Sequence, residues 1–166
     1  MILTRRGFFA ASALLGNAVL SRQAVALPRR DRPAALLVLC GGTPFDAPFF
    51  AGAVAGCRSL GGPVPRQWDV HLAQPNSFAR LQQEFGRLHG ASVIGLLESG
   101  SALLAEQALL ERRAIVIDSG DVDITGTNWP YFLGHNLVGA PISNRRPPQP
   151  TSARNSFNLV SFAAVL

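Results

Sequence analysis

Two patterns alternate along the chain between residues 34 and 118. Residues 34–40 (AALLVLC), 92–97 (SVIGLL) and 114–118 (AIVID) are short, almost continuous apolar runs. Such runs mark strands covered on both faces. Residues 68–73 (WDVHLA) form a more polar candidate strand. Between these runs, apolar residues recur at helical spacing: Phe49, Phe50, Ala53, Val54 and Cys57 within 48–60, then Phe78, Leu81, Phe85 and Leu88 within 77–89. Residues 101–113 are rich in Ala, Leu and Glu and end in Arg112-Arg113, where positive charge suits the carbonyl end of a helix. Gly41-Gly42-Thr43-Pro44 and Gly61-Gly62-Pro63 punctuate the pattern, and Pro75-Asn76-Ser77 offers an N-cap.

Strand–helix three times, then a strand, predicts an α/β fold. The expected form is a Rossmann-like three-layer parallel sheet of four or five strands with helices on both faces. Tyr131-Phe132-Leu133 reads as a short fifth strand ended by Gly134-His135-Asn136. Residues 141–156 are a Pro- and Arg-rich linker, and 157–166 (FNLVSFAAVL) an apolar segment that adds a strand or docks on the surface. Ligands of such sheets bind beyond the carboxyl ends of the strands, here residues 41–46, 74–76, 98–101 and 118–121.

Composition narrows the picture. With 48% hydrophobic and 15% charged residues among 166, the chain is apolar enough to fold over most of its length. Without residues 1–26 it has one domain's worth of chain, at 27–140, followed by the segment 141–166. The net charge of +5 belongs to the ends: residues 27–140 hold nine Arg against ten Asp and Glu, a net of −1. There is no Lys, and no nucleic-acid partner is expected.

Residues 1–26 read as an export signal. Thr4-Arg5-Arg6-Gly7-Phe8-Phe9 resembles the twin-arginine motif, residues 7–20 are apolar, and Ala24-Val25-Ala26 supplies small side chains for cleavage after Ala26. The 14-residue run falls short of about 30 Å of hydrocarbon at about 1.5 Å per residue. The expectation is a periplasmic protein carried by the twin-arginine translocase.

Candidate chemistry is sparse. Glu98-Ser99-Gly100-Ser101 places serines at a strand-to-helix turn, as hydrolases do, but without the Gly-x-Ser-x-Gly frame. A helix N-terminus capped by Ser99 or Ser101 explains them more simply. His71, His89 and His135 are 18 and 46 residues apart, and no His or Cys spacing suits a metal. Gly41-Gly42 lacks both the dinucleotide fingerprint and the Walker lysine. No cofactor, no metal and no catalytic residue is expected. Cys40 and Cys57 read either as a disulfide permitted by export or as two buried thiols.

Four places resemble the amino-terminal lobe of the type I periplasmic sugar-binding proteins, the ribose- and galactose-binding-like group. They are Pro48-Phe49-Phe50 with Gly56 and Leu60-Gly61, Gln74-Pro75-Asn76 with Leu81-Gln82, Glu98-Ser99-Gly100-Ser101-Ala102, and Ile115-Val116-Ile117-Asp118-Ser119 with Gly134-His135-Asn136. The resemblance covers about residues 34–138 and implies a non-enzymatic solute receptor for a small polar ligand such as a sugar. Its partners would be an ABC-type permease or a membrane sensor. It further implies Phe49 or Phe50 as an aromatic platform and Asp118 as the hydroxyl acceptor, with Asp46, Ser99 and Asn136 completing the ligand site. Ala47 stands where the family has Asn, Ser119 where it has Arg, and the chain is one lobe long, as either a truncated or frameshifted two-lobe protein or a natural single-lobe protein would be. Beside the receptor stand a secreted serine hydrolase using Ser99 or Ser101, and a non-catalytic interaction module.

Overall fold

Among the described residues, five strands and four helices follow one another as β1 (Leu36–Cys40), α1 (Asp46–Leu60), β2 (Arg66–Asp69), α2 (Ser77–Arg87), β3 (Ser92–Glu98), α3 (Ser99–Glu111), β4 (Ile115–Asp121), α4 (Trp129–Ser143) and β5 (Leu159–Val165). The computed structural model describes residues 35–70, 76–122, 126–143 and 158–166. The export segment read at 1–26, together with His71, Gln74 and Pro75, lies outside the described residues.

The strands form one open sheet in the order β2-β1-β3-β5-β4. β1 pairs in parallel with β2 and β3, while β5 runs antiparallel to both β3 and β4. β4 therefore points the same way as β1–β3, with β5 inserted between. The fold is Rossmann-like α/β with a mixed sheet, which corrects the expectation of an all-parallel one. The apolar end segment supplies a seven-residue strand bonded on both edges. An internal strand buried on both faces favours a nearly continuous apolar run, and in β5, interrupted only by the buried Ser161, Leu159, Phe162, Ala163 and Ala164 are all at most 1% exposed.

Two cores sandwich the sheet. One joins Val38, Ile94, Leu96 and Ala163 to Phe49, Ala53 and Cys57 of α1 and to Trp129, Leu137 and Val138 of α4. The other joins Leu39, Val93, Leu97 and Phe162 to Leu81 and Phe85 of α2 and to Ala102, Ala105 and Leu109 of α3. Helices thus cover both faces, as right-handed crossovers require.

α4 overturns the short fifth strand expected at 131–133. Trp129-Pro130 opens a helix, where Pro costs nothing in the first turn, and the helix runs on to Ser143, past the expected linker boundary at 141. Its glycines misled the pattern because Gly134 serves contact rather than turning. A Cβ at Gly134 would stand 2.1 Å from the Phe49 carbonyl oxygen, and one at Gly52 would stand 1.9 Å from that of Tyr131. Gly56 faces the His135 carbonyl in the same way, at 2.7 Å. α1 and α4 lie backbone against backbone, in parallel, along this glycine seam.

Cap geometry departs from expectation twice. The position before α3 is Glu98, with no side-chain cap, and neither Ser99 nor Ser101 caps the helix. Asn76 precedes α2 in the left-handed region at φ 69°, also without a side-chain cap. α1 ends as predicted at Gly61, whose φ of 63° lets the Gly62 N–H reach the Cys57 carbonyl at 2.8 Å.

Candidate functional site

The chain leaves β1 toward β2 on one side and β3 on the other, so the switch point lies beyond Cys40 and Glu98. There the loop from Gly41 to Phe45 wraps around one carboxylate. Asp46 accepts hydrogen bonds from the N–H of Gly42 (2.7 Å), the N–H of Thr43 (3.0 Å) and the hydroxyl of Thr43 (2.6 Å). It is buried, and its charge satisfies backbone donors that would otherwise face an anion at the start of α1. Asp46 thus holds the loop at the switch point.

An open cleft of ≈ 290 Å³ lies one step along the same rim, between α3 and the carboxyl end of β4. Ser99, Glu106, Ser119 and Asp121 supply its polar wall, and Ala102, Leu103 and Val160 its apolar one. Topology explains the grouping. β5 enters the sheet at this rim, and the Asn158 carbonyl accepts both the Ser99 N–H (2.9 Å) and the Ser99 hydroxyl (2.8 Å). The Ser119 hydroxyl donates to Glu106 across the cleft. In register, Ser119 faces Phe162 and Asp121 faces Val160, both on the α2–α3 side of the sheet.

The residues singled out from sequence are dispersed. Phe49 is fully buried in the α1–α4 core, so its ring packs under the sheet and offers no platform at the rim. Phe50 is half-buried against the same core. Asp118 is 4% exposed and pairs in register with Ala163, which puts it on the α1–α4 side, opposite the cleft. Asn136 is exposed on α4, its amide oxygen 3.5 Å from His135 Nδ1. Of the six, Ser99 alone lines the cleft. Glu106, Ser119 and Asp121 complete it. Glu106 lies inside a helix, where no local pattern marks it, whereas Ser119 and Asp121 belong to the strand-end segment 118–121 that the α/β rhythm predicts.

The serine-hydrolase geometry is not assembled among the described residues. Ser99 gives its hydroxyl proton to a backbone carbonyl, His135 sits on a helix of the opposite face, and His89 lies at the amino end of β3. No group of three or more His, Cys, Asp or Glu suited to a metal occurs among the described residues, nor any helix long and apolar enough to cross a membrane.

Cys40 and Cys57 are free and buried. Cys40 ends β1 at the rim, while Cys57 lies eleven residues into α1, about 16 Å along that helix from its first residue. Burial, then the nearby carboxylates of Asp46 and Asp69, push the Cys40 thiol up from 9.0 to about 12. Burial raises Cys57 too. Below pH 9 both folded and unfolded chains keep these protons. Above it the unfolded chain ionises first, so stability should fall steadily as pH rises from 9 toward 12. Urea unfolding at about pH 8, 9.5 and 11 should show this loss, and Cys40→Ala should flatten most of it; an unchanged slope would refute the assignment.

No family model, no curated protein and no solved structure matches the chain. The fold defines an open α/β domain with a polar cleft at the carboxyl rim of its sheet.

Proposed function

We propose that this chain is a non-catalytic solute-recognition domain that takes a small hydroxyl-bearing ligand, a sugar first among them, in the cleft between α3 and β4. One observation supports the reading above others. Two carboxylates and two hydroxyls, Glu106, Asp121, Ser119 and Ser99, converge on one open hollow that also has an apolar side. Carboxylates accept hydrogen bonds from vicinal hydroxyls, while Leu103 and Val160 suit the C–H face of a sugar ring. The volume is near the small end of ligand sites, a size for a monosaccharide. Because the cleft stays open, much of a ligand would remain in water, and weak affinity is expected.

Export through the twin-arginine route, with ligand handed to an ABC-type permease or a membrane sensor, completes the proposal. It rests on Thr4-Arg5-Arg6-Gly7-Phe8-Phe9, on Ala24-Val25-Ala26 and on the resemblance to the sugar-binding group. The site moves in this reading from Phe49, Phe50 and Asp118 to the cleft residues.

A thermal-shift screen of pentoses, hexoses and polyols tests it. At ten times the dissociation constant a ligand stabilises by about 1.4 kcal/mol, which a chain of this size reads as a shift of several degrees. Asp121→Asn and Glu106→Gln should each abolish the shift of a hit. Silence across the panel at about ten millimolar, or a hit indifferent to both variants, defeats the proposal.

A further inference from the structure

The polar side chains that line the cleft are left with acceptors only. Ser99 donates its hydroxyl proton to the Asn158 carbonyl at 2.8 Å, and Ser119 donates its own to Glu106. A hydroxyl has one proton to give, so both serines have only lone pairs left for a ligand. Glu106 keeps its second oxygen and Asp121 its whole carboxylate. Among the described residues the ion pairs are made by Glu84, so neither acid of the cleft has a cation beside it.

Charge points the same way. Glu106 and Asp121 bring two negative charges to one hollow, and the amino end of α3 offsets only about half of one. The described arginines stand elsewhere. Arg58, Arg66, Arg87, Arg112 and Arg113 lie at the far rim of the sheet, at helix ends or at the start of β2. Arg80 is near the carboxyl rim, but on α2, which packs on α3 from the side away from β4. No group of three metal-ligating side chains occurs among the described residues, so the two carboxylates suit an organic cation better than a metal ion. An ammonium group answers both demands, because it has three donors and no acceptor.

Given the cleft as the solute site, we infer that its ligand is a protonated amino sugar. The ammonium group lies between Glu106 and Asp121, and the C–H face of the ring covers Leu103 and Val160. The oxygens of Ser99 and Ser119 accept from the ring hydroxyls. Titration calorimetry of the full chain with glucosamine, N-acetylglucosamine and glucose tests this at about pH 6, below the ordinary range of an amine. The acetyl form removes the charge, and glucose removes the nitrogen. Glucosamine should bind at least tenfold more tightly than either. Asp121→Asn and Glu106→Gln should each erase most of that preference, since an amide keeps the shape and loses the charge. Raising the salt from about 0.02 to about 0.5 M should do the same. Equal affinity for all three sugars would overturn the inference and leave the solute site standing. A preference that survives both substitutions would put the amine outside this cleft and overturn it as well. No binding of any of the three at about ten millimolar would overturn both the amine and the site.

Discussion

Gly134→Ala is expected to cost well over 2 kcal/mol, while Gly139→Ala, five residues further along the same helix, gains about 0.5–1 kcal/mol. The two substitutions add the same methyl group and remove the same excess backbone entropy from the unfolded chain. They differ in what the methyl meets. At Gly139 nothing lies within 4 Å, whereas at Gly134 the new carbon would stand 2.1 Å from the Phe49 carbonyl oxygen and 3.1 Å from the Ala53 nitrogen. Backbone atoms of a helix cannot swing aside, so α4 must lift from α1 and open the core between Phe49, Leu137 and Val138. Gly52→Ala should be equally damaging, its Cβ falling 1.9 Å from the Tyr131 oxygen. Because a domain is held by only about 5–15 kcal/mol, either change should remove a large part of the total. Urea midpoints for the three single variants are the measurement. A Gly134→Ala protein as stable as its parent would show that the two helices do not touch as described.

The second large effect concerns how β5 is seated. Gly95 of β3 pairs in register with Phe162 of β5, and a Cβ at Gly95 would lie 2.4 Å from the phenyl ring. The ring occupies the space that a side chain at 95 would take. Gly95→Ala should therefore cost about 1–3 kcal/mol by overpacking. Phe162→Ala should cost about 3–5 kcal/mol, because a fully buried aromatic leaves a cavity. The double variant should be no less stable than Phe162→Ala alone, since the methyl then enters vacated space. A coupling of about 1–3 kcal/mol between the two sites is the expected signature of direct contact. Strict additivity would mean that β5 does not pair beside β3.

Both effects bear on the cleft. β5 brings Asn158 and Val160 to the rim, where one holds Ser99 and the other forms the apolar wall. Loosening β5 should therefore disturb the cleft walls, and with them the proposed ligand recognition, even though neither Gly95 nor Phe162 lines the cleft.

The local pattern of the chain determined a good deal. Runs such as 34–40 and 92–97 are apolar without alternation, which only a strand covered on both faces tolerates. The helical spacing of Phe78, Leu81 and Phe85, and the glycine stop at 61, placed α2 and the end of α1 within a few residues. The carboxyl rim as the place for a site followed from the same rhythm, and Ser99 and Asp121 were within reach of it. Tertiary structure decided the rest. Residues 159–165 would suit any buried strand, and their direction and place depend on Gly95 accepting Phe162, a partner 67 positions away. Gly134 spoke for a turn because local propensity cannot register a carbonyl of α1 pressed against it. Phe49 and Asp118 carried the right chemistry for a site, but burial on the α1–α4 side withdrew both from the cleft. Periodicity reports which residues leave water. Which partners they meet depends on contacts between segments remote in sequence, and those are fixed by the packing of the whole.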